Sequence, residues 1–351
     1  MATATLRKPG GAAVKFALEN GRLVVCRQGR AWVAVAVALA VSWPALAAAQ
    51  ATRYPNRPIR LIVPLPPAGS TDIVARIVAQ KLNEGLGQQV IVDNRPGAAS
   101  TIGNGLVAHA APDGYTLLFA SASLGTTPSL YRKLSYDPVK DLAPVAPIGQ
   151  SFFVLVVHPS VPAKSVQEFI ALAKAKPKQI LYATAGTGSI THLAVELFMA
   201  NAKIDMVSVP FKGGAPALVA FLSGEAPAIF SPIAEILPHL RTSSKVRTLA
   251  VTSPKRVPEL PDTPTLSESG LPGATVITMT GIYVPAGTPG GIINQLNTEI
   301  NRMMKQPEVR DRFAGNGLVP IGGTPEALGD YLKSEITRWA KVIKEAGIKV
   351  E

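Results

Sequence analysis

Hydrophobic positions along the chain switch repeatedly between a two-residue and a helical period. The apolar run IRLIVP, which starts at Ile59, is typical of a buried strand, and Ile73, Ile77, Leu82 and Leu86 then recur on one helical stripe. Two further strand-like runs, QQVIVDN and GYTLLFAS, follow with a small-residue helical block between them. This β-α-β-α-β order predicts a mostly parallel sheet covered on both faces, with ligands at the C-terminal ends of the strands.

The same alternation restarts at residue 151 with the run SFFVLVV. Ser165 stands three residues before Glu168, a capping box that predicts a helix over FIALAKA. Further strand-like runs follow, and after a Pro-rich segment the run VITMTGIYVPA leads to two or three terminal helices, the last beginning at Thr324-Pro325. We therefore expect two α/β domains joined by two crossovers, domain I over 50–150 plus 275–351 and domain II over 151–274.

Residues 1–49 have the organisation of a Sec-type signal peptide. Six basic side chains and one acid precede the apolar run AWVAVAVALAVSW, which ends in Pro44 and the small residues ALAAAQ. Cleavage after Ala47 or Ala49 fits equally, and the long basic segment leaves open a start codon downstream of Met1. The alternative, an uncleaved membrane anchor, is disfavoured because Pro44 and the many alanines make a poor span. We expect export to the periplasm.

Charge, cysteine and histidine content exclude several function classes. The net charge is +12, but 5 of these charges lie in residues 1–49 and the rest are spread, so no nucleic-acid-binding patch is predicted. The single cysteine, Cys26, would be removed with the signal peptide, which excludes a thiol nucleophile or thiolate ligands. The four histidines lie in unrelated segments without metal-site spacing, so we expect neither a metal nor a cofactor.

A first candidate binding loop joins the strand IRLIVP to the next helix. Its small residues allow a ligand to approach the backbone, and the helix N-terminus favours an anion through free N–H groups and its dipole. The candidate residues are Pro67, Ala68, Gly69, Ser70 and Thr71. The alternative is an ordinary turn in which Ser70 or Thr71 caps the helix. Asp72 is expected in the first helical turn, pointing away from an anion that its charge would repel.

A second candidate loop, Ala185–Ser189, again joins a strand to a helix, with Thr187, Gly188 and Ser189 as candidate residues. It lacks the GxxxxGK pattern of a phosphate-binding loop, and Thr191 stands where a dinucleotide fingerprint requires glycine. His192 has no partner acid or GxSxG elbow nearby, so a hydrolase triad is disfavoured and a packing role is expected.

The two loops hold equivalent places in the two predicted domains. One helix N-terminus from each side would therefore point into a single cleft, where a ligand with two separated carboxylates would bridge them. Trp339 is the only tryptophan after residue 49, which disfavours sugars because sugar receptors usually stack rings on cleft aromatics.

The chain resembles the Bug family of periplasmic solute receptors, the substrate-binding components of tripartite tricarboxylate transporters. The resemblance covers about residues 53–351. The segments that carry it are YPNRPIRLIVPLPPAGSTDIVAR, IVDNRPGAASTIG, APDGYTLLF, LSYDPVKDLAPV, HPSVPAKSVQEFIALAK, YATAGTGSITHLA, VPFKGGAPAL, TLAVTSPKRVPELPDTPTLSESGLPG and VPAGTP.

The resemblance implies a Venus-flytrap receptor, two doubly wound α/β domains in a periplasmic-binding-protein-like arrangement that closes on one small carboxylate. It implies that Pro67–Thr71 hold one carboxylate and Thr187–Ser189 the other. The remaining implied wall or hinge residues are Ser121, Ser123, Phe211, Ser231, Thr280 and Gly281.

Several positions depart from the family's usual pattern. Leu65 and Ala68 stand where Phe and Gly are common, and Ser231-Pro232 stands where Asp-Asn is frequent. Because that Asp can meet a ligand's amino group, Ser231 weakens the case for an amino-acid ligand and favours a di- or tricarboxylate or an aromatic acid.

The sequence thus predicts a monomeric, non-enzymatic periplasmic receptor that delivers a carboxylate to the membrane permease subunits of a tripartite tricarboxylate-type transporter. Two alternatives stay open. One is a soluble carboxylate sensor for a signalling partner, which neighbouring permease genes would argue against. The other is an exported serine-dependent hydrolase.

Overall fold

The computed structural model describes residues 3–6, 14–19, 22–25 and 54–348. Strands β1 (Thr3–Leu6), β2 (Val14–Glu19) and β3 (Arg22–Val25) form a three-stranded antiparallel sheet in the first compact unit, residues 1–56. The apolar run and both cleavage sites of the expected signal peptide lie outside the described residues. The signal peptide therefore stays a prediction.

The second unit begins at Arg57 and is built on one ten-stranded sheet. Along the sheet the order is β5-β4-β6-β12-β7-β10-β8-β9, and β11 and β13 also pair with β7. The strands are β4 (Ile59–Val63), β5 (Val90–Asn94), β6 (Thr116–Ala120), β7 (Leu142–Val157), β8 (Leu181–Thr184), β9 (Val207–Pro210), β10 (Ala228–Pro232), β11 (Arg247–Val251), β12 (Ile277–Pro285) and β13 (Val319–Pro320).

Helices follow most of these strands, as the sequence pattern predicts. They are α1 (Ser70–Leu86), α2 (Thr101–Ala108), α3 (Ser123–Leu130), α4 (Val166–Ala175), α5 (Ile190–Ala202), α6 (Gly214–Ser223), α7 (Ile233–Thr242), α8 (Gly290–Met303), α9 (Pro307–Ala314) and α10 (Pro325–Glu345). The serine half of the expected capping box is confirmed, because Ser165 Oγ accepts the Glu168 amide at 3.2 Å. The Glu168 side chain instead accepts the amide of Lys164 at 2.7 Å. Within the described ranges, no helix is long and apolar enough to span a membrane.

Strand directions divide the sheet into two parallel groups with an antiparallel centre. β4 is parallel to β5 and β6, and β8 is parallel to β9 and β10. β7 and β12 run antiparallel to their neighbours, so the expectation of a mostly parallel sheet is wrong at the centre. The physical reason is that these two strands carry the chain from one group to the other, β7 near residue 150 and β12 back near residue 277.

The core has separate clusters on the two sides of this crossover, and α10 contributes to both. Leu328 and Leu332 join the cluster around β4 and β6, whereas Trp339, Val342 and Ile343 join the cluster around β8 and β10. The C-terminal helix therefore packs against both predicted domains. The domain boundaries given above stay a prediction.

Candidate functional site

The C-terminal edges of the two parallel groups face each other across the crossover strands. β6 ends at Ala120, which pairs through Gly281 of β12 with Pro147 of β7. β10 ends at Pro232, which pairs with Phe153 of β7. β6 runs towards higher numbers of β7 and β10 runs towards lower ones, so both strand ends point at residues 148–152. At about 3.3 Å per residue, the two edges are about 20 Å apart along β7.

The floor between the edges is formed by β7 and β12. Ser151 lies opposite Thr278 and their hydroxyl oxygens are 2.5 Å apart, while the Thr280 hydroxyl donates to the Gly149 carbonyl at 3.3 Å. Thr280 was predicted from the sequence, whereas Ser151, the polar first residue of the run SFFVLVV, was not.

Gly281 is explained by packing between β12 and α10. A Cβ atom there would lie 2.7 Å from both methyl carbons of Leu328, so a larger residue would force this buried side chain to move. The other predicted wall residues of this half, Ser121 and Ser123, follow β6 directly, and their hydroxyl oxygens are 2.8 Å apart.

The first loop leaves the N-terminus of α1 open. Gly69 occupies the cap position and provides no side-chain cap, so the alternative in which Ser70 or Thr71 caps the helix is wrong. Pro67, Ala68, Gly69 and Ser70 are all exposed. The amides of Ser70 and Thr71 have no acceptor within the helix, as the geometry of a first turn requires.

The buried side chain of Asp72 is hydrogen-bonded to this loop. Its side chain is 2% exposed, and it accepts hydrogen bonds from the Ala68 amide at 3.0 Å, Arg76 Nε at 2.9 Å and Asn94 Nδ2 at 2.9 Å. Burial alone would raise the pKa of Asp72, but the hydrogen bonds from Arg76, the Ala68 amide and Asn94 outweigh burial and lower it. Asp72 was predicted in the first turn, but its three partners were not predicted. The i, i+4 spacing of Asp72 and Arg76 was an available indication of one of them.

The second loop is capped by its own serine. Ser189 Oγ accepts the His192 amide at 3.3 Å, and the Ser189 amide donates to the Gly186 carbonyl at 3.1 Å. Gly186 and Gly188 have φ angles of 127° and 76°, in the region that favours glycine. The sequence analysis expected the loop amides to be free, and for Gly188 and Ser189 this is wrong because protein atoms already accept them.

His192 provides the acceptor for Gly188. The Gly188 amide donates to His192 Nδ1 at 3.1 Å, so the ring proton belongs on Nε2, which lies 3.4 Å from Glu196. The Tyr182 hydroxyl donates to the same carboxylate at 2.7 Å. His192 is 6% exposed, and its polar contacts support the loop, so the expected packing role is incomplete. The expectation that it has no acid nearby is wrong, because Glu196 lies one helical turn further along α5.

This arrangement provides no nucleophile and base pair. Among the described residues the imidazole contacts the Gly188 amide and Glu196, while Ser189 Oγ contacts Thr191 Oγ1 at 3.0 Å and the His192 backbone. The same described residues contain no group of three or more side chains suited to holding a metal ion. The geometry suits anion binding at helix N-termini rather than covalent chemistry.

Two predicted residues of the second half are wholly or partly buried. Ser231 is 1% exposed and its hydroxyl donates to the Pro232 carbonyl at 3.3 Å. Phe211 is half-buried against the core cluster of this half, and its amide donates to the Thr184 carbonyl at 2.9 Å. Both lie at the strand edge, although the hydroxyl of Ser231 is turned into the backbone.

The chain matches known proteins over most of its length. Residues 74–348 match the tripartite tricarboxylate transporter family receptor, TctC. The curated protein BugT of Bordetella pertussis is 38% identical over 303 residues, which cover 86% of this chain and 93% of BugT.

Solved structures with the same fold include receptors with bound carboxylates. A Rhodopseudomonas palustris protein with adipate has a TM-score of 0.74 and 34% identity, covering 84% of this chain and 99% of that one. MatC of the same organism, with bound malate, has a TM-score of 0.71 and 34% identity, covering 83% and 100%. The periplasmic binding protein BugD has a TM-score of 0.72 and 32% identity, covering 85% and 100%.

These matches confirm the α/β periplasmic-binding-protein-like fold and the resemblance to Bug receptors. Proteins of this family are receptors of a transport system rather than enzymes, which excludes the hydrolase alternative. The chain belongs to the tripartite tricarboxylate transporter receptor family, a family of solute-binding receptors.

Proposed function

We propose that this protein binds a small dicarboxylate between the two facing sheet edges and delivers it to the permease subunits of a tripartite tricarboxylate-type transporter. The observation that carries the proposal is the opposition of two helix N-termini, those of α1 and α5, across one strand crossover. Each end favours a negative group through its amides and dipole. The relatives with adipate and malate bind molecules of this class.

In this proposal Pro67–Thr71 bind one carboxylate directly and Thr187–Ser189 bind the other in part through water. The difference follows from the hydrogen bonds in the loops. Among the residues that the structure describes, the amides of Ser70 and Thr71 have no acceptor, whereas those of Gly188 and Ser189 are already bonded. Water can bridge the second loop and the ligand carboxylate at little cost in free energy.

Domain closure is part of the proposal. The long strands β7 and β12 connect the two halves near residues 150 and 277, and bending there would bring the loops together around the ligand. We place the protein in the periplasm as a monomer, exported by the signal peptide that residues 1–49 predict.

A melting-temperature panel tests the function. Residues 50–351 are refolded from denaturant to remove carried-over ligand and are then heated with C4–C6 dicarboxylates, citrate, aromatic acids or sugars. A ligand at 100 times its dissociation constant adds about 2.7 kcal/mol, which raises the melting temperature by several degrees. A selective rise with a dicarboxylate supports the proposal, and a rise with sugars alone contradicts it.

A further inference from the structure

An acidic side chain, Glu235, lies at the same edge as the second loop. Strands β8, β9 and β10 are parallel, so the segments after Thr184, Pro210 and Pro232 all emerge at one edge of the sheet. Glu235 belongs to the first turn of α7, which begins directly after β10. The edge that carries the second loop therefore also presents a carboxylate.

Glu235 packs over the start of α6. Its two carboxylate oxygens lie 3.2 and 3.5 Å from the position that a Cβ atom would take on Gly214, the first residue of that helix. The preceding residue, Gly213, donates its amide to the carbonyl of Ala185 at 3.2 Å. The carboxylate of Glu235 therefore lies against Gly214, and the adjacent Gly213 is hydrogen-bonded to the second loop. Neither glycine has a side chain that would cover the carboxylate.

Within the described part of the chain, Glu235 forms no hydrogen bond or ion pair that would neutralise it. By contrast, Asp72 in the first turn of α1 accepts three hydrogen bonds. Although Glu235 is exposed as a whole, burial of its carboxyl group raises its pKa. A hydrogen-bond donor or a cation stabilises an unpaired carboxylate in partly desolvated surroundings.

We infer that Glu235 is a specificity-determining residue that favours dicarboxylates carrying a hydroxyl or ammonium group and rejects tricarboxylates. The inference rests on the proposed function, since it assumes that the ligand spans the two loops. A substituent directed at Gly214 then meets Glu235. A donor forms a charge-assisted hydrogen bond there, whereas a third carboxylate meets a like charge.

This inference revises the expectation drawn from Ser231. Sequence analysis disfavoured an amino-bearing ligand because position 231 carries no acid. The structure places an acid four residues later at the same edge, where it can accept from an ammonium group.

Isothermal titration of the mature chain tests the inference with succinate, malate, aspartate and tricarballylate. The first three share a C4 dicarboxylate skeleton and differ only in having no donor, a hydroxyl or an ammonium group. We expect the wild type to bind malate and aspartate at least ten-fold more tightly than succinate, with tricarballylate weakest. In Glu235→Gln the preference for aspartate over succinate should fall at least ten-fold, and tricarballylate should gain affinity.

Two further variants make the test specific to this position. Glu225→Gln removes the same charge at the far end of α6, about 15 Å away for a ten-residue helix, and should leave the preferences unchanged. Gly214→Ala keeps the charge but places a methyl group against the carboxylate, so it should reduce the aspartate preference without abolishing it.

The outcomes separate this inference from the proposed function. If the wild type binds dicarboxylates but prefers succinate, or if Glu235→Gln keeps the wild-type ratio, the inference is wrong while the receptor function stands. If Glu225→Gln shifts the ratio as far as Glu235→Gln does, net charge rather than position is responsible and the inference is again wrong. If no dicarboxylate binds to any of these proteins, the proposed function itself fails and the inference fails with it.

Discussion

The two candidate binding loops have the same strand-loop-helix form, but a carboxylate supports one and an imidazole supports the other. In the first loop an ionised carboxylate, Asp72, accepts the Ala68 amide and leaves the helix N-terminus open. In the second loop a neutral imidazole, His192, accepts the Gly188 amide, and Ser189 caps the helix. Similar local sequence therefore produces one loop with free amides and one in which the protein has already used them.

This difference has consequences for charge at the two ends of the ligand. The acid of the first loop is paired with Arg76, so the charges of these two side chains offset each other and the helix end provides the remaining field. The second edge has the uncompensated Glu235. We therefore expect the first loop to bind a carboxylate of any ligand and the second edge to discriminate among ligands.

The largest effect is expected from Gly188→Val. Position 188 has a φ angle of 76°, which a β-branched residue adopts only with strain, and the side chain would fill the space beside the second loop. We expect dicarboxylate affinity to fall more than 100-fold in isothermal titration. Gly270→Val is the control, because its φ of 87° imposes similar strain with nothing within 4 Å of the added atom. Equal loss of affinity in both variants would argue against a ligand role for the second loop.

A smaller effect, on stability, is expected from Asp72→Ala. The substitution leaves the Ala68 amide and the Asn94 side chain without their acceptor, and removes the partner of a half-exposed arginine. We expect the free energy of unfolding in urea to fall by about 2–3 kcal/mol. Asp330→Ala, which removes an exposed acid from α10, should cost less than about 0.5 kcal/mol. Similar losses would mean that the buried network contributes nothing.

Ser189→Ala should act on binding and folding together. Loss of the hydroxyl should weaken the dicarboxylate by about 1–3 kcal/mol, and loss of the cap should destabilise the protein by about 1 kcal/mol. Ser189→Gly separates the two effects, because glycine at a cap costs only a few tenths of a kcal/mol. Titration and urea unfolding of both variants are the measurements. Unchanged affinity in both would remove Ser189 from the site.

The smallest expected effect is the contribution of Asp72 to the pH dependence of stability. The folded-state pKa of Asp72 is lowered below its ordinary value of 3.8, so its contribution is fully present above that value. The contribution is lost as the pH falls through the folded-state pKa, because the unfolded chain then binds the extra proton. Unfolding free energies measured between pH 5 and pH 2.5 should fall less steeply for Asp72→Asn than for the wild type. Parallel curves would contradict this assignment.

Much of the fold could be predicted because it depends on local sequence. The periodicity of the run at Ile59, the capping box at Ser165 and the cap at Thr324 each specify an element within a few residues, and the structure has all three. The antiparallel centre was not predicted. Whether β7 and β12 run with or against their neighbours depends on how two distant segments pair, which neither run encodes by itself.

The candidate site divides in the same way. The positions of both loops followed from strand ends, small residues and helix starts, and the family comparisons support the class of ligand. The capping of α1 by Gly69, the pairing of Asp72 with Asn94 and the exposure of Glu235 did not follow from the sequence pattern.

By itself, then, the sequence determined the order of strands and helices, the absence of thiol chemistry after residue 49 and the two loops that can face an anion. Those properties depend on residue type and on spacing of a few positions. Only the tertiary structure decided which loop amides are free, where the two edges face each other and that Glu235 has no partner among the described residues. Hydrogen bonds and charge pairs form between groups that folding brings together from distant segments, and a sequence pattern contains their chemistry but not their distances.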